Sequence, residues 1–336
     1  MVIRRYAALL LSGCWALSAS GSARAEVTEL NVAQQFGLAF LPLMIMQDGA
    51  LIEKHARLAG LDGLKVNWAR ISGSAGMNDA LLSGNLHFAS GGIVALLLLW
   101  DRTKGTLDAK AVCAMNSFDL WLNTRNPAVK SIRDLSDKNK IATAAARISN
   151  QALLLQMAAQ KAFGPGNHTR LDALQVSMSQ PDALTALVSG SGEIDHHFAA
   201  PPFQQYELKY PGVRTILKGY EVLGGPAIFN VVWATSKFRD ANPKSYAAFY
   251  AAFEEATGII NRDKRAAAET YLRLSKDKAS VDDIYRIVND PDYVYTTTPH
   301  NAMKYAEFMH RTGALKNKPD SWKEVFFSNV HALPGS

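Results

Sequence analysis

Short apolar runs alternate with stretches of helical period along the first two thirds of the chain. Residues 29–33 read as a strand, and 42–59 as a helix with Pro42 in its first turn. Residues 64–70 alternate as a strand, 75–83 are helical, 86–89 form a strand and 93–100 a buried helix. Another strand is expected at 111–115. The pattern then breaks at Thr124-Arg125-Asn126-Pro127 and starts again. Strands are expected at 140–143, 173–178, 194–198 and 213–217, with helices at 150–162 and 182–189 between them. Residues 226–235 read as one long apolar strand. After it, 243–262, 264–275, 281–288 and 300–312 carry apolar residues at helical spacing. Strands alternating with helices predict an α/β fold with mainly parallel sheets.

Two α/β runs followed by a helical C-terminal segment predict two lobes joined by two hinge crossings. The first lobe is expected over 26–117 plus 231–336, and the second over 123–224. The crossings fall at 118–122 and 225–230. An internal echo supports this division. Asp79-Ala80-Leu81-Leu82-Ser83-Gly84 leads into Leu86-His87-Phe88-Ala89, and Asp182-Ala183-Leu184 through Ser189-Gly190 leads into His196-His197-Phe198-Ala199. Each is a helix stopped by glycine and followed by a short strand. Such units also recur in unrelated α/β proteins.

The first 25 residues change the picture. Arg4 and Arg5 precede an apolar run, and Ala23-Arg24-Ala25 supplies an A-x-A cleavage site, so 1–25 reads as an export signal cut after Ala25. The run is too short to span a bilayer. Leu11-Ser12-Gly13-Cys14 offers a lipoprotein alternative, and the arginine pair a twin-arginine one. Cleavage would leave 311 of the 336 residues, and taking away three arginines and no acid would lower the formal charge from +6 to +3. No dense basic run remains, which argues against nucleic-acid binding. Only Cys113 would be left of two cysteines, so neither an internal disulfide nor a thiolate metal site is expected. No nucleophile elbow, zinc-protease helix or phosphate-binding loop is present, and no cofactor is expected.

Four places carry a family likeness. Phe40-Leu41-Pro42-Leu43 opens a helix containing Gln47-Asp48-Gly49. Asp79-Ala80-Leu81 precedes Ser83-Gly84 and Phe88. Trp121-Leu122-Asn123-Thr124-Arg125-Asn126-Pro127 is followed by Lys130-Ser131-Ile132-Arg133-Asp134-Leu135. Pro181-Asp182-Ala183-Leu184 leads through Ser189-Gly190 to Pro201-Pro202. In order and spacing these resemble the nitrate/sulfonate/taurine-type solute-binding proteins of ABC importers. The chain departs from that family at Ala144-Ala145-Ala146-Arg147-Ile148-Ser149 and at Phe198-Ala199-Ala200-Pro201. The resemblance implies a type II-like two-lobed periplasmic binding protein fold and a monomer in the periplasm. It also implies a small-molecule ligand, and an ABC permease with its ATPase as partners. Two other readings stay open: a pyrimidine-precursor-type enzyme of the same fold, and a ligand-sensing subunit for a membrane receptor.

In α/β lobes ligands bind where strands end and helices begin. That rule selects Phe40, Ser72, Ser74, Gly91 and Asn116 in the first lobe, and Ser149 and Phe198 in the second. Each of the serine, glycine and asparagine positions is also an ordinary cap or turn residue. Ser90-Gly91-Gly92 is expected to be a loop. Arg70 and Arg147 are the nearest cations, and Phe36 the nearest further aromatic. His196 and His197 are neighbours in a strand, so their side chains should point to opposite faces and not share an ion.

Overall fold

The computed structural model describes residues 25–336. The expected leader, apart from its last residue, and the Cys14 alternative lie outside the described residues. Among the described residues eleven strands are formed: β1 (Glu29–Gln34), β2 (Lys65–Arg70), β3 (Ala89–Gly92), β4 (Ala109–Ser117), β5 (Trp121–Thr124), β6 (Ile141–Thr143), β7 (Gln175–Ser177), β8 (His196–Ala199), β9 (Arg214–Lys218), β10 (Ile228–Thr235) and β11 (Val294–Tyr295).

The strands make two lobes with one plan. In the first lobe β2 and β1 pair in parallel, and β3, β10, β4 and β11 form a second group with β10 antiparallel to β3 and β4. A parallel bridge between Val32 and Phe88 joins the groups, with Ala33 N–H donating to the Phe88 carbonyl at 3.1 Å. The second sheet runs β7-β6-β8-β5-β9, with β6 parallel to β7 and β8, and β5 antiparallel to β8 and β9. Each lobe thus holds its second, first and third strands in parallel, then one antiparallel strand, then its fourth. The antiparallel strand is the first one made after the chain arrives from the other lobe. The chain crosses between β4 and β5, and again between β9 and β10 by way of the short helix Gly219–Leu223. The two helix–glycine–strand echoes take equivalent places, leading into β3 and β8.

Helix Pro243–Arg262 lines the first lobe. Its buried Phe249, Ala252, Phe253, Ala256 and Ile260 follow helical spacing, and Phe249 stacks on Phe88 with ring centroids 3.7 Å apart. Glu26 anchors the start of this helix: its carboxylate accepts from Lys244 N–H at 2.8 Å and from Ser245 N–H at 3.0 Å.

Three expectations are corrected. The helix expected over 42–59 is two, Leu41–Asp48 and Leu51–Leu58, because Ala50 between them is left-handed at φ 45. Ser90-Gly91-Gly92 is not a loop: it is strand β3, paired with Asn230–Trp233 of β10. Trp121–Thr124, not expected as a strand, is β5, whose four residues are too few to reveal a period.

Candidate functional site

A cavity partly open to solvent lies between the lobes. The first lobe gives it Phe36, Ala39 and Phe40 from the segment after β1, Ser74 at the start of helix Ser74–Leu82, and Gly92 and Ala95 at the start of helix Ile93–Thr103. The second lobe gives Ser149, Asn150 and Gln151 at the start of helix Asn150–Phe163, Gln180 at the start of helix Gln180–Ser189, and Pro201 and Phe203 after β8. Phe229 and Asn230 of the return strand β10 close the back.

Two physical properties stand out. No acidic or basic side chain lines the cavity. Four helices of eight residues or more begin at it, and a helix start carries unpaired N–H groups and the positive end of the dipole. Three of these starts already have a side-chain partner: Ser149 Oγ accepts from Ala152 N–H at 3.2 Å, Ser179 Oγ from Asp182 N–H at 3.3 Å, and Asn150 Oδ1 from Val94 N–H at 3.0 Å. Helix Ser74–Leu82 has no side-chain cap at its N-cap Gly73.

The side-chain amides divide in the same way. Gln35 is fully used: Nε2 donates to the Ser90 carbonyl at 3.1 Å and Oε1 accepts from Gly73 N–H at 3.1 Å. Gln180 is half used. Its Oε1 accepts from Ala200 N–H at 2.8 Å, which fixes the amide orientation and leaves Nε2 buried with no partner. Asn230 Nδ2 is also buried with no partner. Buried donors left unpaired are costly and rare. Here one comes from the second lobe and one from the return strand, and both belong to residues that line one cavity.

The expected site residues separate into groups. Phe40, Ser74 and Ser149 line the cavity. Ser72 lies at an outer mouth with Phe36, Met178 and Ser179. Gly91 stands behind the wall, where a Cβ would come 2.6 Å from Ser74 Oγ. Asn116 is fully buried and ties Ala39 to Asn230, donating to the Ala39 carbonyl at 2.6 Å and accepting from Asn230 N–H at 3.4 Å. Phe198 is in the core, opposite Leu122 on β5, and not at the cleft. Its place at the strand end was inferred from chain position, but the β8 pleat turns it inward. Arg70 sits outside the cavity with its guanidinium 5.0 Å from the Phe36 ring centroid. Arg147 is also outside, its N–H bonded to Gln175 Oε1 at 3.0 Å. Sequence reasoning missed Gln180, Asn230, Phe203 and Phe229, while Ser149-Asn150 was visible as a helix start. Gln180 had a signal: it precedes Pro181 at the start of a predicted helix.

The two adjacent histidines do face apart. His196 Nδ1 lies 2.8 Å from Asp195 Oδ1, though out of line for a hydrogen bond. His197 Nδ1 meets Glu207 Oε1, and Glu207 Oε2 accepts from Asn123 Nδ2 at 2.8 Å. Among the described residues no group of three or more His, Cys, Asp or Glu is placed to share an ion. No described helix is long and apolar enough to cross a membrane.

No protein-family model and no curated relative matches the chain. Solved structures do. The alkanesulfonate-binding protein SsuA from Xanthomonas axonopodis pv. citri, bound to MOPS, aligns with TM-score 0.67 at 17% identity, over 88% of this chain and 96% of that one. The periplasmic aliphatic sulphonate binding protein SsuA from Escherichia coli aligns with TM-score 0.64 at 16% identity, over 90% and 93%. A Candida albicans gene product, described as having the generic periplasmic binding protein structural fold, aligns with TM-score 0.66 at 16% identity, over 87% and 92%. On this overall likeness the chain has the two-lobed periplasmic binding protein fold.

Proposed function

We propose that this protein captures a small solute outside the cytoplasm by closing two lobes on it, and delivers it to the permease of an ABC importer. The observation that carries the reading is the uncharged inter-lobe cavity lined by Gln180 and Asn230, residues from both sides of the cleft whose amide nitrogens Nε2 and Nδ2 are buried without a partner. Donors without acceptors call for a guest rich in acceptor oxygen, such as a sulfonate or a carboxylic acid. Phe36, Phe40, Phe203 and Phe229 suit a flat or apolar body behind that head. A guest touching both lobes favours the closed state over the open one, which is what drives closure. The sulfonate-binding neighbours and the export signal expected at 1–25 support this reading. The lobes that move are 26–117 plus 231–336 against 123–224, pivoting near 118–122 and 225–230.

A thermal-shift series with the protein tests it, using MOPS, taurine, linear alkanesulfonates, nitrate and phthalate against an alkylamine control. A matching acid at a hundred times its Kd should add about 2.7 kcal/mol of stability. Gln180→Glu, which keeps an oxygen for the Ala200 N–H and removes the Nε2 donor, should abolish most of that gain. If the amine stabilises and no acid does, the donor argument is wrong.

A further inference from the structure

Helix Ile93–Thr103 belongs to the first lobe and starts at Gly92, which has no side chain to cap it. The cap arrives from the other lobe. Asn150, the first residue of helix Asn150–Phe163, accepts from Val94 N–H at 3.0 Å through Oδ1 and donates through Nδ2 to the Phe229 carbonyl at 2.7 Å. It is 1% exposed. Asparagine is among the best N-cap residues, but caps are ordinarily supplied from the residue next to the helix. Asn150 is 56 positions away from Val94. Gly92 makes the approach possible, since a Cβ there would lie 2.5 Å from Asn150 Oδ1 and 2.9 Å from Cγ.

We propose that Asn150 is the positioning residue that couples the lobes: its amide caps a helix of the opposite lobe, and opening the cleft must break that cap. The inference rests on the proposed closure, but not on the identity of the solute. It gives the protein a bias toward the closed state before any guest arrives. That bias enters the observed affinity directly, because affinity scales with the population of the competent state. It also explains why the Val94 amide is not offered to the guest although its helix starts at the cavity.

Backbone amide exchange and X-ray scattering on the solute-free protein test the coupling. Asn150→Ala should speed exchange at Val94 about tenfold or more and raise the radius of gyration, while β10 amides stay protected. Asn150→Asp should keep Val94 protected, because a carboxylate oxygen also caps a helix start, while losing the Nδ2 bond to the Phe229 carbonyl and some overall stability. Gly92→Ala should reproduce the Asn150→Ala behaviour by displacing the amide. Added to Asn150→Ala, it should change Val94 exchange by less than about threefold, since the clash partner is gone. Unchanged Val94 exchange in Asn150→Ala overturns the proposal. So does a Gly92→Ala effect of equal size in both backgrounds. If Asn150→Ala does not fold, Asn150→Asp and Gly92→Ala carry the same test. None of these measurements uses a solute, so a failed solute screen leaves them standing, and the reverse holds too.

Discussion

His87-Phe88-Ala89 and His197-Phe198-Ala199 are the same three residues at the same place in two lobes of the same plan, yet they live in different surroundings. In the first lobe His87 is partly exposed, stacks on Phe238 at 4.6 Å, and accepts from Asn31 N–H at 3.0 Å. In the second, His197 is wholly buried against Glu207, and Asn123 bridges that carboxylate to Thr215 Oγ at 2.7 Å. What covers the strand makes the difference. Phe238, Tyr246 and Phe249 pack around Phe88 in an aromatic core, whereas the second lobe has a small alanine-rich cluster of Ala142, Ala183, Ala186, Leu187 and Ile194 on one side of its sheet. The comparison teaches that one chain topology can be held by apolar packing in one copy and by a buried polar network in the other.

The largest expected effects attack the shared core position. Phe88→Ala and Phe198→Ala should each cost about 3–5 kcal/mol in urea unfolding, because both rings are fully buried. A Phe198→Ala protein with intact stability but lost solute affinity would return that residue to the cleft and break the equivalence.

Removing the polar network comes next. Glu207→Ala takes away the partner of His197 Nδ1 and the acceptor of Asn123 Nδ2 in a buried place and should cost about 1–3 kcal/mol for each polar group left unpaired. His87→Ala, at the equivalent position, should cost about 1 kcal/mol, in keeping with one hydrogen bond and a half-exposed ring. Equal losses would mean that the two histidines are held alike.

The smallest effect is one of pH. Burial pushes the pKa of His87 below its ordinary 6.5, and burial does the same to His196 although Asp195 partly offsets it. Both therefore take up protons less readily folded than unfolded. Stability should fall as pH drops below about 6.5 toward the folded values, with a slope of at most about 1.4 kcal/mol per pH unit for each histidine. Thermal melts of His87→Gln and His196→Gln between pH 7 and pH 5, about the range where free histidine titrates, should each lose part of that slope. A parent protein that is flat over this range would contradict both directions.

Much of the fold was legible in the sequence because periodicity reports burial. Helices Pro243–Arg262, Lys264–Ser275 and Val281–Val288 have the bounds that their apolar spacing predicts. The site was less legible. Phe40, Ser74 and Ser149 reach the cavity because strand ends and helix starts are local features. Asn230 was hidden inside an apolar strand. Asn150 reads as an ordinary first-turn residue, since its partners lie 56 and 79 positions away. Phe198 shows the opposite failure: a strand-end position was visible, but the face it turns to depends on pairing with β5.

A cavity walled by amides, hydroxyls and rings has a consequence for letting go. A fixed lysine or arginine inside it would hold an anionic guest with a charge that outlives the encounter and is weakened by salt only slowly in a buried place. Neutral donors give about 0.5–1.5 kcal/mol apiece, and water can take the guest's place on each of them as the lobes part. On the proposed function the grip would be made of small, replaceable bonds, and its strength would depend on the shape of the closed cleft. Unloading would then need only a change of shape, with no protein charge to neutralise and no reagent to displace the cargo.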